Sequence, residues 1–230
     1  QYVALHKGSS IQRQWHRNRH NLIRFLKFFL PTSNVLDAGC GSGNVVLDFA
    51  GNVSSIIGID NNKSCIDFLN RMVKEKNIKN ARGIIADLLH LELEEKKFDR
   101  IIMTEVLEHF SEKDDRKILK QLKKMLNDNG KILVTTPNYR SLWILLEPLM
   151  DILHLSPKLW GDQHLIKFTS KKLIEILENN GFIIEKKGTL NFISPLFSLL
   201  NQNLADKLSY LEFSHIPFGN LFYVVAKPKK

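Results

Sequence analysis

The sequence has 230 residues, which is enough to bury one substantial core, so a single folded domain with insertions is expected. Its hydrophobic fraction of 43% and charged fraction of 25% exclude an intrinsically disordered chain. The net charge of +9 allows a polyanionic partner, but lysines such as Lys117 and Lys120 recur along one predicted helix, where a solvated face is the simpler interpretation. Two cysteines, Cys40 and Cys65, exclude a disulfide framework and favour a reducing cytoplasm.

The chain begins with an N-terminal helical segment, residues 1–31, in which arginines and apolar side chains alternate from Ser10 until Pro31 ends the pattern. After it, short β-rich runs alternate with helical ones. The predicted strands are Val35 to Asp37, Ile56 to Asp60, Gly83 to Ala86, Phe98 to Thr104, Lys131 to Thr136, Phe182 to Lys186 and Leu221 to Lys227. The predicted helices between them are Gly43 to Ala50, Lys63 to Lys76, Glu112 to Asn127 and Ser170 to Asn180. This alternation predicts an α/β fold with a largely parallel sheet, whose ligands bind at the carboxyl ends of the strands.

Two apolar stretches, residues 141–165 and 190–217, interrupt the alternation and are predicted to be insertions. The first contains a leucine-rich run that Glu147 and Asp151 make too acidic to span a bilayer. These two carboxylates share a side at i, i+4, which predicts an amphipathic lid with an apolar inner face. The alternative is that both insertions extend the core or form a dimer interface.

The turn after the first strand carries Gly39, Gly41 and Gly43 at alternating positions. Glycine tolerates positive φ, and a helix that starts at Asn44 would direct its first amides at a ligand above the turn. The turn is therefore expected to hold a nucleotide-like molecule. A dinucleotide site would require Gly-x-Gly-x-x-Gly, and Asn44 occupies the position of its third glycine, which disfavours NAD.

Acidic residues end the second and third predicted strands. Asp60, followed by Asn61, lies about twenty residues beyond the first glycine, where a carboxylate can bind ribose hydroxyls. Asp87 is followed by Leu88, an arrangement that suits an adenine amino group and one face of its ring. Either aspartate alone would be interpreted as a turn or helix-cap residue, but the glycine turn favours a shared ligand site.

Taken together, this order resembles class I S-adenosylmethionine-dependent methyltransferases: Asp37-x-Gly-x-Gly-x-Gly43, an acid after the second strand, Ala86-Asp87-Leu88, and Phe-Asp-Arg-Ile-Ile opening the fourth strand. The similarity extends roughly from Leu22 to Phe182. It implies one Rossmann-like, doubly wound domain over residues 1–230, with seven mostly parallel strands, an antiparallel last strand and helical lid insertions. The implied cofactor is S-adenosylmethionine. The residues expected to bind it are Asp37, Gly39, Gly41, Gly43, Asp60, Asn61, Asp87 and Leu88.

Upstream, the segment from Trp15 to Arg19 is similar to an aromatic-and-arginine element that precedes the glycine motif in several of these enzymes. By that analogy Arg19 pairs with the methionine carboxylate of the cofactor. The alternative is a surface arginine on an amphipathic helix.

The fourth strand ends in Glu105-Val-Leu-Glu108-His109, which places two carboxylates and an imidazole beside the expected methyl position. Glu105 and Glu108 share a side at i, i+3, so with His109 and the later His164 they are candidate ligands of a divalent metal such as Mg²⁺. In the metal-free alternative, Glu105 closes the cofactor pocket, Glu108 bonds locally and His109 acts alone. His164 is then a core or surface histidine.

This segment resembles that of quinone-biosynthesis O-methyltransferases, where it is linked to a divalent metal, and it is similar to the metal-binding Glu-x-x-Glu-His of small-RNA 2′-O-methyltransferases. His109 and Glu108 are the expected catalytic residues, with His109 as the proton acceptor. In the quinone enzymes an insertion at the place of residues 141–165 is associated with membrane lipid.

The expected function is methyl transfer to oxygen on an apolar or lipid-linked small molecule, by a cytoplasmic protein in contact with a membrane surface. An RNA or tRNA methyltransferase is the first alternative, because the chain has a net positive charge and resembles the small-RNA enzymes. A methyltransferase-like subunit that binds cofactor and supports a partner is the second. The residue pattern leaves the acceptor atom and the oligomeric state open.

Overall fold

The computed structural model describes residues 2–93, 97–139, 141 and 165–229. Within these residues seven strands form one sheet: β1 (Asn34–Ala38), β2 (Ser55–Asp60), β3 (Ala81–Ile85), β4 (Phe98–Thr104), β5 (Leu126–Pro137), β6 (Phe182–Leu190) and β7 (Leu221–Pro228). The described helices are α1 (Tyr2–Lys7), α2 (Ser10–Phe25), α3 (Asn44–Phe49), α4 (Lys63–Glu75), α5 (Glu112–Met125), α6 (Ser170–Asn179), α7 (Ser194–Phe197) and α8 (Gln202–His215). Short 3₁₀ turns cover Ala50–Asn52, Leu88–His90 and Leu107–His109.

The strand order is β3-β2-β1-β4-β5-β7-β6, and β7 pairs antiparallel with both β5 and β6. The other neighbouring strands pair in parallel. The predicted fold, a mostly parallel doubly wound sheet with an antiparallel last strand, is confirmed. The order reverses direction between β1 and β4, so the carboxyl ends of these two strands form the crevice in which such sheets bind ligands.

Alternate residues of each strand point to opposite faces of the sheet, and both faces are buried. Leu36, Ile101 and Val134 belong to the apolar cluster on one face, and Val35 and Ile102 belong to that on the other. Burial on both faces explains why the strand sequences are continuous apolar runs.

Three predicted boundaries in the second half of the sheet were wrong. Strand β5 was predicted to begin at Lys131, but it begins at Leu126. Helix α5 was predicted to reach Asn127, but it ends at Met125 because Leu126 already pairs with Phe98, before a register shift towards Arg100. Strand β6 was predicted to end at Lys186, but its pairing with β7 continues as far as Leu190. Long-range pairing overrode the local pattern at these places.

The N-terminal helical segment is confirmed as α1 and α2, and Ser9 starts α2 through a capping box with Gln12. Helix α2 ends at Phe25, earlier than Pro31 predicted, and Lys27 follows it with a φ of 48°. Most of the first predicted insertion lies outside the described residues. Among the described residues, no helix combines the length and apolar character that crossing a bilayer requires.

Candidate functional site

The glycine turn between β1 and α3 has the conformation that its sequence predicted. Gly39, Gly41 and Gly43 have φ values of 79°, 51° and 76°, all in the left-handed region that favours glycine. Space is a second constraint, since a Cβ at Gly39 would lie 2.4 Å from Cγ2 of Val106. The turn is therefore fixed both by its backbone conformation and by the side chain packed beneath it.

Asp60, at the end of β2, ties this turn to its own strand. Its Oδ2 accepts a hydrogen bond from the Gly41 amide at 2.8 Å, and its Oδ1 accepts one from the Asn62 amide at 2.9 Å. Each carboxylate oxygen has a further lone pair, and the residue is half-buried. Asp60 can therefore accept hydrogen bonds from a ligand while it holds the turn. Asn61, beside it, is exposed.

Asp37, at the end of β1, is a buried carboxyl group with 1% exposure. Its Oδ1 has no hydrogen-bond partner among the described residues. Burial, with a further contribution from the charge of Asp60, raises the pKa of Asp37 to about 7. A buried carboxyl group with an unsatisfied oxygen beside a glycine turn is what a site for a positively charged or hydrogen-bond-donating ligand would contain.

Asp87 follows β3 and lies at the surface, where it begins the 3₁₀ turn Leu88–His90. It accepts hydrogen bonds from the Leu89 amide and from Nδ1 of His90, both at 2.9 Å, and these bonds hold its pKa below the usual value. The side chain of Leu88 has 7% exposure and belongs to the apolar core, so little of its surface is left for the predicted contact with a ring.

Arg19 of α2 and Glu105, just after β4, form an ion pair at the crevice. Arg19 Nε lies 2.8 Å from Glu105 Oε1, and Arg19 Nη2 donates to Oε2 at 3.2 Å. Glu105 has a φ of 55°, and its amide donates to the carbonyl oxygen of Thr135. The alternative of a surface position for Arg19 is wrong, because the residue has 7% exposure.

His16, one helical turn before Arg19, orients the guanidinium group. Its Nδ1 lies 2.9 Å from Arg19 Nη2. Burial, and then the charge of Arg19, lower the pKa of His16 to about 3. The imidazole is therefore neutral near neutral pH, and its Nδ1 accepts the hydrogen bond that the arginine donates.

Glu108 and His109 are neighbours in the 3₁₀ turn Leu107–His109, but their environments differ. Glu108 has 1% exposure; its Oε2 accepts a hydrogen bond from Thr136 Oγ1 at 3.2 Å, and its Oε1 has no partner among the described residues. Burial, and then the charge of Glu105, raise the pKa of Glu108 to about 8. Its carbonyl oxygen accepts the amide of Leu165 at 2.7 Å, whereas His109 is exposed.

The predicted metal ligands are not brought together in the described part of the chain. No group of three or more histidine, cysteine, aspartate or glutamate side chains there is arranged to hold a metal ion. Glu105 is paired with Arg19, Glu108 is buried and His109 is exposed. His164, the predicted fourth ligand, lies outside the described residues.

Besides the ion pair of Arg19 with Glu105, two further polar contacts of the site were missed in the sequence. The contact between His16 and Arg19 follows from their i, i+3 spacing on a helix, so the helical pattern was a signal that pointed to it. The bond from Thr136 to Glu108 joins the ends of two strands, and no local pattern predicts which threonine reaches a given glutamate.

Comparison with known proteins agrees with this fold. A family model described as a methyltransferase domain matches residues 11–187. The chain belongs to this methyltransferase family. The enzyme is an S-adenosylmethionine-dependent methyltransferase.

Among the relatives of the methyltransferase, a ubiquinone biosynthesis O-methyltransferase of Pelagibacter ubique is 26% identical over 170 residues, 70% of this chain and 67% of that protein. N-methyltransferase 4 of Papaver somniferum is 33% identical over 102 residues, 43% of this chain and 28% of that protein. Among solved structures, magnesium protoporphyrin IX methyltransferase from Synechocystis, with bound SAH, has a TM-score of 0.64 at 18% identity, covering 96% of this chain and 86% of that one.

Proposed function

We propose that this methyltransferase transfers a methyl group to an oxygen atom of an apolar or lipid-linked small molecule. The observation that carries the proposal is the ion pair of the buried Arg19 with the partly buried Glu105 beside the glycine turn, with His109 exposed a few residues further along. The similarity to a ubiquinone biosynthesis O-methyltransferase over 70% of the chain supports oxygen as the acceptor atom.

The charges at the crevice fit the methionine part of S-adenosylmethionine, which carries one ammonium and one carboxylate group. Arg19 offers a guanidinium group to the carboxylate, and Glu105 offers a carboxylate to the ammonium group. The unsatisfied Oδ1 of Asp37 is a further acceptor at the end of the neighbouring strand. Opposite charges that are already paired cost less to bury than either charge alone, so the pair is stable before a ligand binds.

The rest of the cofactor is assigned to the two strand ends beyond the turn. Asp60, with Asn61 beside it, would accept hydrogen bonds from the ribose hydroxyls, and Asp87 would accept one from the adenine amino group. Gly39, Gly41 and Gly43 let the backbone approach the ligand closely. The cofactor supplies an electrophilic methyl group on its sulfonium sulfur, and the protein residues position it.

Transfer to a hydroxyl group also requires removal of its proton. We assign the removal of that proton to His109, because histidine is the side chain that most often acts as a general base and this one is exposed in the 3₁₀ turn that follows β4. Glu108 is assigned a positioning role. Its side chain bonds Thr136, and its carbonyl oxygen bonds Leu165, so it fixes the turn that carries His109.

Methyl-labelled S-adenosylmethionine tests the proposal, with acceptors that present a phenolic hydroxyl, a primary amine or a carboxylate on one apolar scaffold. We expect label only on the phenolic oxygen, and faster transfer as an alkyl chain on the scaffold is lengthened. Label on the amine alone, or on tRNA added in parallel, would overturn the proposal. Cofactor affinity is measured separately by calorimetry. Tight cofactor binding with no transfer to any acceptor would instead identify a supporting subunit.

A further inference from the structure

Helices α7 and α8 expose apolar side chains outwards and bury polar ones. We name the exposed set the leucine face, and its members are Leu196, Leu199, Leu200, Leu204 and Leu211. Leu199 and Leu200 lie in the turn between the two helices and are 61% and 80% exposed. Single exposed leucines are ordinary on protein surfaces, but a contiguous set on one segment is typical of an interaction surface.

The inward side of the same segment is held by hydrogen bonds. Asn18 Nδ2 of α2 donates to Asn191 Oδ1 at 2.7 Å and to Ser194 Oγ at 2.9 Å, and all three residues are fully buried. From α8, the buried carboxylate of Glu212 accepts the amides of residues 192–194 at 3.1, 2.8 and 2.7 Å. The buried Ala205 and Phe213 of α8 also lie on this inner side, so the segment is held to the core without the exposed leucines. The fold has little need of the outward leucines, so their apolar character requires another explanation.

The charges around the leucine face are positive. Residues 1–36 contain no aspartate or glutamate, and helix α2 from this region packs against α8. Of the two acidic residues on α8, Asp206 lies 3.2 Å from Arg17 and Glu212 is buried. Lys207 is exposed on α8 between Leu204 and Leu211.

The end of α2 extends this surface. Phe25 and Tyr210 are both partly exposed, and their ring centroids are 6.0 Å apart. Arg24 and Lys27, on either side of Phe25, are exposed. The apolar surface therefore continues from α8 to α2 with a basic rim.

We propose that the leucine face is a docking surface for an anionic phospholipid membrane. Exposed leucines gain free energy when they enter the interfacial region of a bilayer, and lysine and arginine side chains at their rim are attracted to anionic headgroups. A two-fold dimer through the same face would place this basic rim against its own copy, which like-charge repulsion opposes. A nucleic acid would be attracted by the charges, but it would leave the leucines without apolar partners.

Vesicle flotation tests the proposal without cofactor or acceptor, so its outcome is independent of the proposed methyl acceptor. The purified chain is mixed with vesicles of phosphatidylglycerol and phosphatidylcholine in equal parts, or of phosphatidylcholine alone. We expect the protein to float with the anionic vesicles, to be released as salt is added, and to stay largely unbound with the neutral ones.

Matched variants separate the apolar and the charged contributions. Leu199→Ser combined with Leu200→Ser is expected to lower the partition constant at least about tenfold, because two leucine side chains no longer enter the bilayer. Ile183→Thr is the control, since Ile183 is exposed to 42% on edge strand β6. Lys207→Gln is expected to lower the constant about fivefold, whereas Lys120→Gln on α5 leaves it unchanged.

A further variant distinguishes loss of membrane binding from loss of folding, because it gives a positive signal when it binds. Leu200→Trp keeps an apolar side chain, and its fluorescence is expected to shift to the blue when anionic vesicles are added. Three results would overturn the proposal: no flotation at low salt, flotation of the double serine variant equal to that of the unaltered chain, or equal binding to neutral vesicles. A dimer in light scattering that the double serine variant abolishes would assign the face to a second copy of the chain and overturn it as well.

Discussion

Arg19 Nε lies 2.8 Å from Glu105 Oε1, which joins a helix that precedes the sheet to the carboxyl end of β4, 86 residues later in the chain. Glu105 holds a left-handed backbone at a φ of 55°, a conformation that costs a residue with a side chain about 1–2 kcal/mol. Such conformations persist where the surroundings fix them, and they cluster at ligand sites. The ion pair and the left-handed backbone both restrict the position of the Glu105 side chain at the crevice.

Replacement of Arg19 by alanine should destabilise the protein and weaken cofactor binding. Glu105 would be left as a poorly compensated charge. Removal of one partner of a fully buried ion pair costs about 3–5 kcal/mol, and the 21% exposure of the Glu105 side chain makes a smaller loss expected here. Thermal unfolding measures the first effect, and calorimetry with S-adenosylmethionine measures the second. Arg17→Ala is the control, because Arg17 is 51% exposed in its pair with Asp206, so a loss of less than about 1 kcal/mol is expected. Equal effects of the two substitutions would contradict the assignment.

The stability of the enzyme should fall as the pH rises from about 6.5 to 8. The pKa of Glu108 is raised to about 8 from its ordinary value of 4.5, so the folded state keeps a proton that the unfolded state has lost in this range. Asp37, with its pKa raised to about 7, acts in the same direction. His16, with its pKa lowered to about 3, opposes them only below pH 6.5, the ordinary pKa of a histidine.

Calorimetric melting across this pH range checks the sign. Glu108→Gln keeps the size of the side chain and removes its titration, so its melting temperature should fall less steeply with pH than that of the unaltered protein. Glu175→Gln, on the surface of α6, is the control and should leave the slope unchanged. A Glu108→Gln variant with the original slope would show that Glu108 is already ionised in the folded protein.

The order of strands and helices along the chain was predictable, because each strand of the sheet corresponds to its own apolar run in the sequence. Apolar runs such as Ile56 to Asp60 and Phe98 to Thr104 were located to within a residue or two, and the glycine turn fixed the direction of the first crossover. The end of α5 and the length of β6 were not predictable, because pairing partners far along the chain decide both.

The candidate site was predictable as a set of residue types, but its contacts were not. The aspartates and glycines have a spacing that can be read from the sequence directly, whereas the partner of Glu105 lies on a helix that local patterns could only describe as amphipathic. The burial of individual side chains was the second property that the sequence did not predict. Glu108 and His109 are adjacent in sequence, but one is enclosed and the other exposed, which an apolar-periodicity argument does not resolve within a single 3₁₀ turn.

Asp60→Asn should raise the dissociation constant for S-adenosylmethionine about 10- to 100-fold. The amide has one acceptor oxygen instead of two, and hydrogen bonds to a charged group contribute about 1.5–3 kcal/mol. Because Asp60 also accepts the Gly41 amide, the variant should lose some thermal stability as well. Asp67→Asn on α4 is the control, since Asp67 is exposed in an ion pair with Lys63 and should leave affinity unchanged. Unaltered affinity in Asp60→Asn would remove the ribose assignment.

Gly39→Ala should destabilise the enzyme by about 1–3 kcal/mol, because its Cβ would lie 2.4 Å from Cγ2 of Val106 and its φ of 79° disfavours a side chain. Val106→Ala in the same chain should recover only the part of the loss that is due to the steric clash. Gly51→Ala is the control, since a Cβ there meets no atom within 4 Å. Denaturant unfolding gives all the free energies, and full recovery in the double variant would show that backbone conformation contributes nothing at Gly39.

Removal of the His109 imidazole should lower turnover while leaving cofactor affinity unchanged. His109→Asn is expected to reduce kcat about 10²- to 10⁴-fold, which is the usual contribution of a positioned proton acceptor. A role as proton acceptor predicts that the pH dependence of kcat changes in this variant, whereas a merely structural role would leave the shape of the profile intact. His6→Asn on α1 is the control for loss of an exposed histidine. If a chelator also abolished turnover of the unaltered enzyme and Mg²⁺ restored it, His109 would instead be interpreted as a metal ligand, with residues outside the described part of the chain completing the site.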